Sequence, residues 1–227
     1  MIYLLLLILT SLVHSGTRVF KGVAKYQGQV VYHETSTINF EGSRPLSSSV
    51  VYSGPDGTVL GKLDSDFSQN LSAPIYLLQD LRSSIHQGLR YEAGRMVAFR
   101  IDPKGEEKQK SFELTANDHT VVAGDGLRHF ISHYLEELMN RKEMNVRLII
   151  PGRLDVFDFL LKVAASNKEV VEIELVIKNL LLRFFSTPQR FVFDLETKRL
   201  RQFEGVSNLR NSEGEMMSVD VTYEEVN

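Results

Sequence analysis

The sequence predicts a mainly β (α+β) fold, a large curled antiparallel sheet or half barrel packed around one long amphipathic helix. Three observations predict it. Apolar and polar residues alternate with a period of two along most of the chain. The alternation is one-sided, which belongs to antiparallel strands with one wet face rather than to parallel strands buried on both. A single segment, near 126–142, switches to the helical period.

The elements follow in order. Val19 to Tyr26 and Gln29 to Phe40 are β-rich runs split by Gln27-Gly28, a hairpin-like break. Ser47 to Ser53 and Thr58 to Phe67 flank Gly54-Pro55-Asp56-Gly57, a turn composition. Tyr76 to Ser84 and Leu89 to Glu92 read as strands with a break near His86 to Gly88, and Arg95 to Asp102 and Gln109 to Leu114 flank Pro103-Lys104-Gly105. Then Leu127, Phe130, Ile131, Tyr134, Leu135 and Leu138 form the stripe of the helix. Gly124-Asp125-Gly126 opens it, with Asp125 placed to accept the first free backbone N–H groups.

After the helix the two-residue period returns. Phe157, Phe159, Leu161 and Val163 share one face, and Val171, Ile173, Leu175 and Ile177 alternate with Glu172, Glu174 and Lys178. Arg190 to Leu195 and Lys198 to Glu204 make a hairpin around Glu196-Thr197, and Val219, Val221 and Tyr223 alternate with polar residues near the end. A sheet on the order of ten strands must curl, split or close. A helix on its concave side then fills the interior or leaves a cavity.

The chain has 227 residues, 43% of them hydrophobic and 24% charged, which is globular usage and favours one domain. Its net charge of −3 and its scattered basic residues give no electrostatic footprint for nucleic acid. Lys104 to Lys110 and Arg141 to Arg147 carry acids among their bases and read as solvated turns. With no cysteine, the chain has no disulfide, no cysteine zinc site and no cysteine nucleophile.

Residues 1–15 read as a signal peptide. The apolar run Ile2 to Val13 falls short of the ~20 residues that span a bilayer, but it has the length of a signal h-region. Val13 and Ser15 suit the pockets of a signal peptidase, although no Lys or Arg precedes the run. The alternative is a buried first strand or helix. Export leaves a single β-rich domain, 16–227, with no transmembrane span after cleavage, in the periplasm.

Several stretches carry a resemblance. They are Tyr32-His33-Glu34, the Gly54 to Gly57 turn with Leu63 to Ser68, Asp80-Leu81-Arg82, Ala123 to Gly126, Phe193 to Leu200 and Phe203 to Leu209. Together they resemble a group of uncharacterised exported proteins of Gram-negative bacteria. The sheet-and-helix arrangement is similar to the half-barrel carriers of lipoproteins in the periplasm. The first resemblance implies no activity and the second is architectural, so no functional residue is transferred.

Candidate chemistry is sparse. His129 and His133 lie four apart on the helix, with Glu136 a turn on, a spacing able to chelate a metal; a solvated helix face is the preferred reading, and no metal is assigned. Asp64 and Asp66 point the same way on a strand, as paired acids or as an ordinary wet face. Tyr32, His33, Glu34, Asp80 and Arg82 supply acid, base and electrophile types, and a Glu34–Arg82 pair would join two strands if these were neighbours. Gly-x-Ser-x-Gly, phosphate-loop and dinucleotide glycine motifs are absent from the sequence, and no cofactor is implied.

There are thirteen Phe and eight Tyr, and Phe130, Tyr134, Phe157 and Phe159 fall on inward faces as candidate cavity lining; a dry core would use them as well. Leu180 to Phe185 is apolar beyond what alternation needs, a central strand or a partner-facing patch. The resulting expectation is a non-enzymatic periplasmic binding or carrier protein for an apolar or amphipathic envelope component. Its partner would be a lipid, a lipoprotein or an envelope protein. The alternatives are a solid-cored interaction protein and an unrecognised hydrolase using Tyr32, Glu34, Asp80 or Arg82.

Overall fold

The computed structural model describes residues 15–113, 120–179 and 188–226. Among them fifteen strands form one sheet. The first limb is β1 (Ser15–Tyr26), β2 (Gln29–Glu41), β3 (Arg44–Ser53), β4 (Val59–Asp66), β5 (Ile75–Asp80), β6 (Ile85–Glu92), β7 (Arg95–Ile101) and β8 (Glu107–Phe112). The second limb is β9 (Val121–Ala123), β10 (Glu143–Ile150), β11 (Asp155–Ser166), β12 (Val170–Ile177), β13 (Gln189–Asp194), β14 (Leu200–Arg210) and β15 (Met216–Val226). Two helices, α1 (Gly126–His133) and α2 (Leu135–Arg141), follow β9.

Each limb is a meander, so strands adjacent in sequence are adjacent in space. The limbs join where β1 pairs antiparallel with β15, from Val19 opposite Val226 to Lys25 opposite Asp220. Every pairing is antiparallel except the short β9 against β10. The Gln27-Gly28 turn has both residues at positive φ, 49° and 81°, the conformation that matches the twist of a tight hairpin.

The sheet curls hard. Backbone N–H of Arg210 on β14 donates to Oδ2 of Asp80 on β5 at 3.1 Å, although β4, β3, β2, β1 and β15 lie between these strands. Six steps of ~4.8 Å would hold them roughly 29 Å apart in a flat sheet. The turn between β10 and β11 likewise reaches the first limb, where Arg100 Nη1 on β7 donates to the Gly152 carbonyl at 3.4 Å and Lys110 on β8 pairs with Asp155 at 2.8 Å.

The apolar face of the curl divides into two clusters. One lies under the first limb and the β14–β15 end, around Tyr32, Val50, Tyr52, Leu63, Leu89, Leu209 and Val219. The other gathers Leu127, Phe130, Ile131, Leu135 and Leu138 from the helices against Val146, Leu161, Ile173, Phe191 and Phe193.

Several expectations are corrected. The one long helix is two short ones, broken at Tyr134, whose φ of −96° and ψ of 16° leave the α-helical basin. The backbone bonds across the break survive, Tyr134 N–H to the Phe130 carbonyl at 3.0 Å and Leu138 N–H to the Tyr134 carbonyl at 2.8 Å. The bend lets α1 lie against β9 while α2 lies against β10 and β11, following the curl. The expected break at His86 to Gly88 is interior to β6, and the true turn is Leu81 to Ser84. Gly88 serves close approach instead, since a Cβ there would sit 1.9 Å from the Tyr76 carbonyl oxygen. Two charged stretches read as turns are partly strand: Glu107–Phe112 is an exposed edge, where charge discourages pairing with another chain, and Glu143–Ile150 is β10.

Leu180 to Phe185 and residues 1–14 lie outside the described residues. Ser15 begins β1, opposite Glu41 of β2.

Gly126 fixes where α1 starts. A Cβ there would lie 2.1 Å from the Ser72 carbonyl oxygen and 2.6 Å from Pro74 Cδ, and Ala123 N–H already donates to that Ser72 carbonyl at 2.9 Å. Gly126→Ala is therefore expected to destabilise the protein by ~1–3 kcal/mol through overpacking. A urea midpoint equal to that of the wild type would show that this loop yields freely.

Candidate functional site

The inner face carries a layer of buried polar groups where a dry core would carry hydrocarbon. On β2, Tyr32 and Glu34 point inward in the same alternation that exposes His33. Tyr32 Oη and Ser207 Oγ of β14 share a hydrogen bond at 3.1 Å, and Asn208 Nδ2 donates to Tyr52 Oη at 2.9 Å. Tyr223 Oη of β15 donates to Glu34 Oε2 at 3.1 Å. These partners stand 156–189 residues apart in sequence, so the curl brings them together.

Burial pushes the Glu34 carboxyl up to about 7, against the opposing effects of the Tyr223 hydrogen bond and the Arg128 charge. Burial, with the Glu34 charge next, likewise raises the Tyr32, Tyr52 and Tyr223 hydroxyls, which stay protonated. Strongly shifted groups in a cleft mark candidate functional sites.

Beside this layer the first turn of α1 supplies a largely but not fully buried ion pair. Arg128 Nη2 donates to Asp125 Oδ2 at 2.7 Å, and Ser48 Oγ of β3 donates to the same oxygen at 3.0 Å. Burial alone would raise the Asp125 carboxyl, but the Arg128 and His129 charges and these hydrogen bonds outweigh it and hold it below the ordinary range. Asp125 does not cap the helix as its position suggested. Its own backbone is helical, and its carboxylate is drawn into the ion pair instead.

His129 is largely shielded from solvent, a correction to the solvated helix face expected for the pair. Its ring meets Phe67 edge-on at 4.7 Å, and burial, aided by Arg128, lowers its pKa to about 4. His133 is exposed. The two therefore occupy different surroundings despite their shared spacing. Among the described residues no three His, Asp or Glu side chains gather as a metal site.

At the open end of this layer lies a cavity of about 570 Å³ between β1–β3, α1 and the β13–β14 turn. Phe20, Ile38, Phe40, Leu71, Phe193 and Leu200 give it apolar walls, with Tyr223, Arg128 and His129 also lining it. Arg18, Arg44, Lys198 and Arg199 add charge, and among the described residues none that lines it is Asp or Glu. A volume in the ~300–1,000 Å³ range, mostly apolar with a few convergent polar groups, is the form of a small-molecule site.

Of the four residues expected to line a cavity, none lines this one. Phe130 and Tyr134 stack on each other at 4.8 Å, Phe130 within the second cluster; Phe159 packs at its edge, and Phe157 is half-buried. The hydrolase quartet is not assembled. Glu34 bonds to Tyr223 and not to Arg82, which is exposed. Asp80 spends both oxygens on backbone N–H groups, those of Arg82, Ser83 and Arg210. Asp64 and Asp66 lie on the wet face of β4, where Asp66 accepts the Ser68 N–H at 2.8 Å.

Several functional-site residues escaped the sequence reading, Arg128 and Tyr223 among them. The signals were there: Asp125 and Arg128 have the i, i+3 spacing of a helix ion pair, and Tyr223 alternates inward with Val219 and Val221.

No protein-family model and no curated protein matches the sequence. Among solved structures, the chain is similar to a β-barrel-like protein of a domain of unknown function, DUF1849, from Brucella abortus. That likeness has 8% identity and a TM-score of 0.43, over 95% of this chain and 97% of that one. A second is an outer membrane lipoprotein-sorting protein domain from Vibrio parahaemolyticus, at 8% identity and TM-score 0.28, over 94% of this chain and 83% of that one. Likenesses at this level assign neither ligand nor partner.

Proposed function

We propose that the chain is a non-enzymatic binding or carrier protein for an amphipathic component of the cell envelope. The observation that carries this reading is the apolar cavity of about 570 Å³ at the open end of the curl, with charge at its mouth. Apolar walls favour a hydrocarbon chain, since each buried CH₂ is worth ~0.8 kcal/mol. The polar rim accommodates a head group. Periplasmic location belongs to the same proposal and rests on residues 1–15 acting as an export segment ahead of one domain, 16–227. The partners it implies are lipid, lipoprotein or another envelope protein.

The test is purification from the native envelope under mild conditions, followed by native mass spectrometry. A co-purifying lipid-sized mass is expected, together with its loss in Leu200→Trp, which fills the cavity from a half-buried wall position. A protein that emerges without adduct and also takes up no added amphiphile would overturn the reading.

A further inference from the structure

We propose that the cavity selects a single-chain amphiphile with an anionic head, held at the mouth by Arg18 and Arg44. This rests on the binding reading above and adds the charge of the ligand to it.

Among the described residues five cationic side chains line the cavity, and the acids that answer them stand outside the lining. Asp125 pairs with Arg128 at 2.7 Å, Glu136 with Lys198 at 2.6 Å, and Glu225 with Arg199. Among the described residues Arg18 and Arg44 form no ion pair, although Glu41 stands opposite Arg44 in the β2–β3 hairpin. The Arg18 guanidinium stacks over the Phe40 ring at 4.8 Å, and Arg44 donates to the carbonyls of Ser68 at 2.9 Å and Phe67 at 3.5 Å. Both are exposed at the ends of their strands while the apolar walls lie deeper.

A protein with a net charge of −3 thus concentrates uncompensated positive charge at the mouth of its apolar cavity. A second feature points the same way. Arg128 Nε, on the cavity wall, is buried and has no hydrogen-bond partner, so that guanidinium is not saturated by Asp125. Guanidinium groups pair with phosphate or carboxylate through charge-assisted hydrogen bonds; a choline head keeps the phosphate but sets a fixed cation beside it, which the clustered arginines repel, whereas a net-anionic head carries no such opposing charge. Low-dielectric walls strengthen that preference. The volume suits one acyl chain with its head.

The experiment compares the purified full chain with three probes: lysophosphatidylglycerol, lysophosphatidylcholine of the same acyl length, and glycerol 3-phosphate, which has the anion without the chain. The expected result is at least about tenfold tighter binding of the anionic lysolipid than of the zwitterionic one, because both carry the phosphate and only the choline head brings a cation against the arginines. Glycerol 3-phosphate should bind far more weakly than either. In Arg18→Gln/Arg44→Gln the affinity for lysophosphatidylglycerol should fall to that for lysophosphatidylcholine, and Arg18→Lys/Arg44→Lys should restore part of the preference. An unchanged thermal midpoint in both variants excludes unfolding as the cause. Equal binding of the two lysolipids by the wild type would overturn the anionic inference and leave the carrier reading standing. Glycerol 3-phosphate binding as tightly as the lysolipid would overturn it in favour of a free-anion site. Failure of all three probes would remove both readings together.

Discussion

Glu34→Gln is expected to stabilise the protein at about pH 8 by on the order of 3 kcal/mol and to leave its stability near pH 4 unchanged. The Glu34 carboxyl titrates near 4.5 in an unfolded chain and at about 7 in the folded one, chiefly because burial disfavours the charged form. Below pH 4.5 both states hold the proton and folding costs nothing for this group. Between 4.5 and 7 the folded state binds more protons than the unfolded state, so stability falls as pH rises. Above 7 the full cost of a buried carboxylate is present. Gln has an amide where protonated Glu34 has its carboxyl O–H, and Tyr223 Oη can still donate to the side-chain carbonyl.

His129 bends the profile the other way. Its folded pKa of about 4 lies below its ordinary 6.5, chiefly from burial, so stability is present above 6.5 and lost as pH falls through 4. The two windows overlap between 4.5 and 6.5 with opposite slopes. The wild-type curve there should be nearly flat, and Glu34→Gln should expose the rising limb that His129 produces. The groups facing Glu34 are Tyr32, Tyr52, Tyr223, Arg128 and Asp125, none of which titrates in that interval. Urea unfolding across pH decides it. A Glu34→Gln effect that is the same at every pH would mean that the carboxyl is solvated and its burial illusory.

The sheet was legible because its burial is one-sided. Val171, Ile173 and Leu175 sit inside and their glutamate neighbours outside, and such a period needs no knowledge of the partner strand. Chain turns with their own local chemistry, Gln27-Gly28 and Gly54 to Gly57, were legible for the same reason. β9 is three residues long and carries no period, and β10 hides behind the charges of Glu143 and Arg147. The helix stripe was legible as a face but not as two segments, because Tyr134 is apolar enough to continue the pattern while its backbone leaves it.

The site was less legible than the fold, and Glu34 shows why. Sequence logic offered Arg82 as its partner on the assumption that their strands were neighbours, whereas β3 and β4 separate β2 from β5. Its actual partner, Tyr223, lies at the far end of the chain and one strand beyond β1. Tyr32–Ser207 and Asn208–Tyr52 are of the same kind. Contacts across the hollow of a curled sheet depend on its curvature, which emerges from every strand together and leaves no local trace.

Asp125→Asn is expected to cost ~2–3 kcal/mol, because it leaves Arg128 charged and largely shielded from water without its carboxylate. The guanidinium cannot escape by losing its proton, since its pKa lies far above the accessible range. Ser48 Oγ would keep an acceptor in the Asn amide, so the loss isolates the charge rather than the hydrogen bond. Removing both charges together, in Asp125→Leu/Arg128→Met, should recover most of the deficit, because an apolar pair of similar volume avoids the desolvation cost of both ions. Urea midpoints of the two variants give the comparison. If the double variant is as unstable as the single one, Arg128 matters for its packing against the cavity wall and not for its charge. The same pair links stability to ligand. Arg128 lines the cavity, so an anionic head group bound there supplies the counter-charge that Asn cannot. Lysophosphatidylglycerol should therefore raise the unfolding midpoint of Asp125→Asn more than that of the wild type at equal saturation, and lysophosphatidylcholine, whose phosphate is offset by its own cation, should do so less. Equal shifts for both proteins would place the head group away from Arg128 and confine its recognition to Arg18 and Arg44.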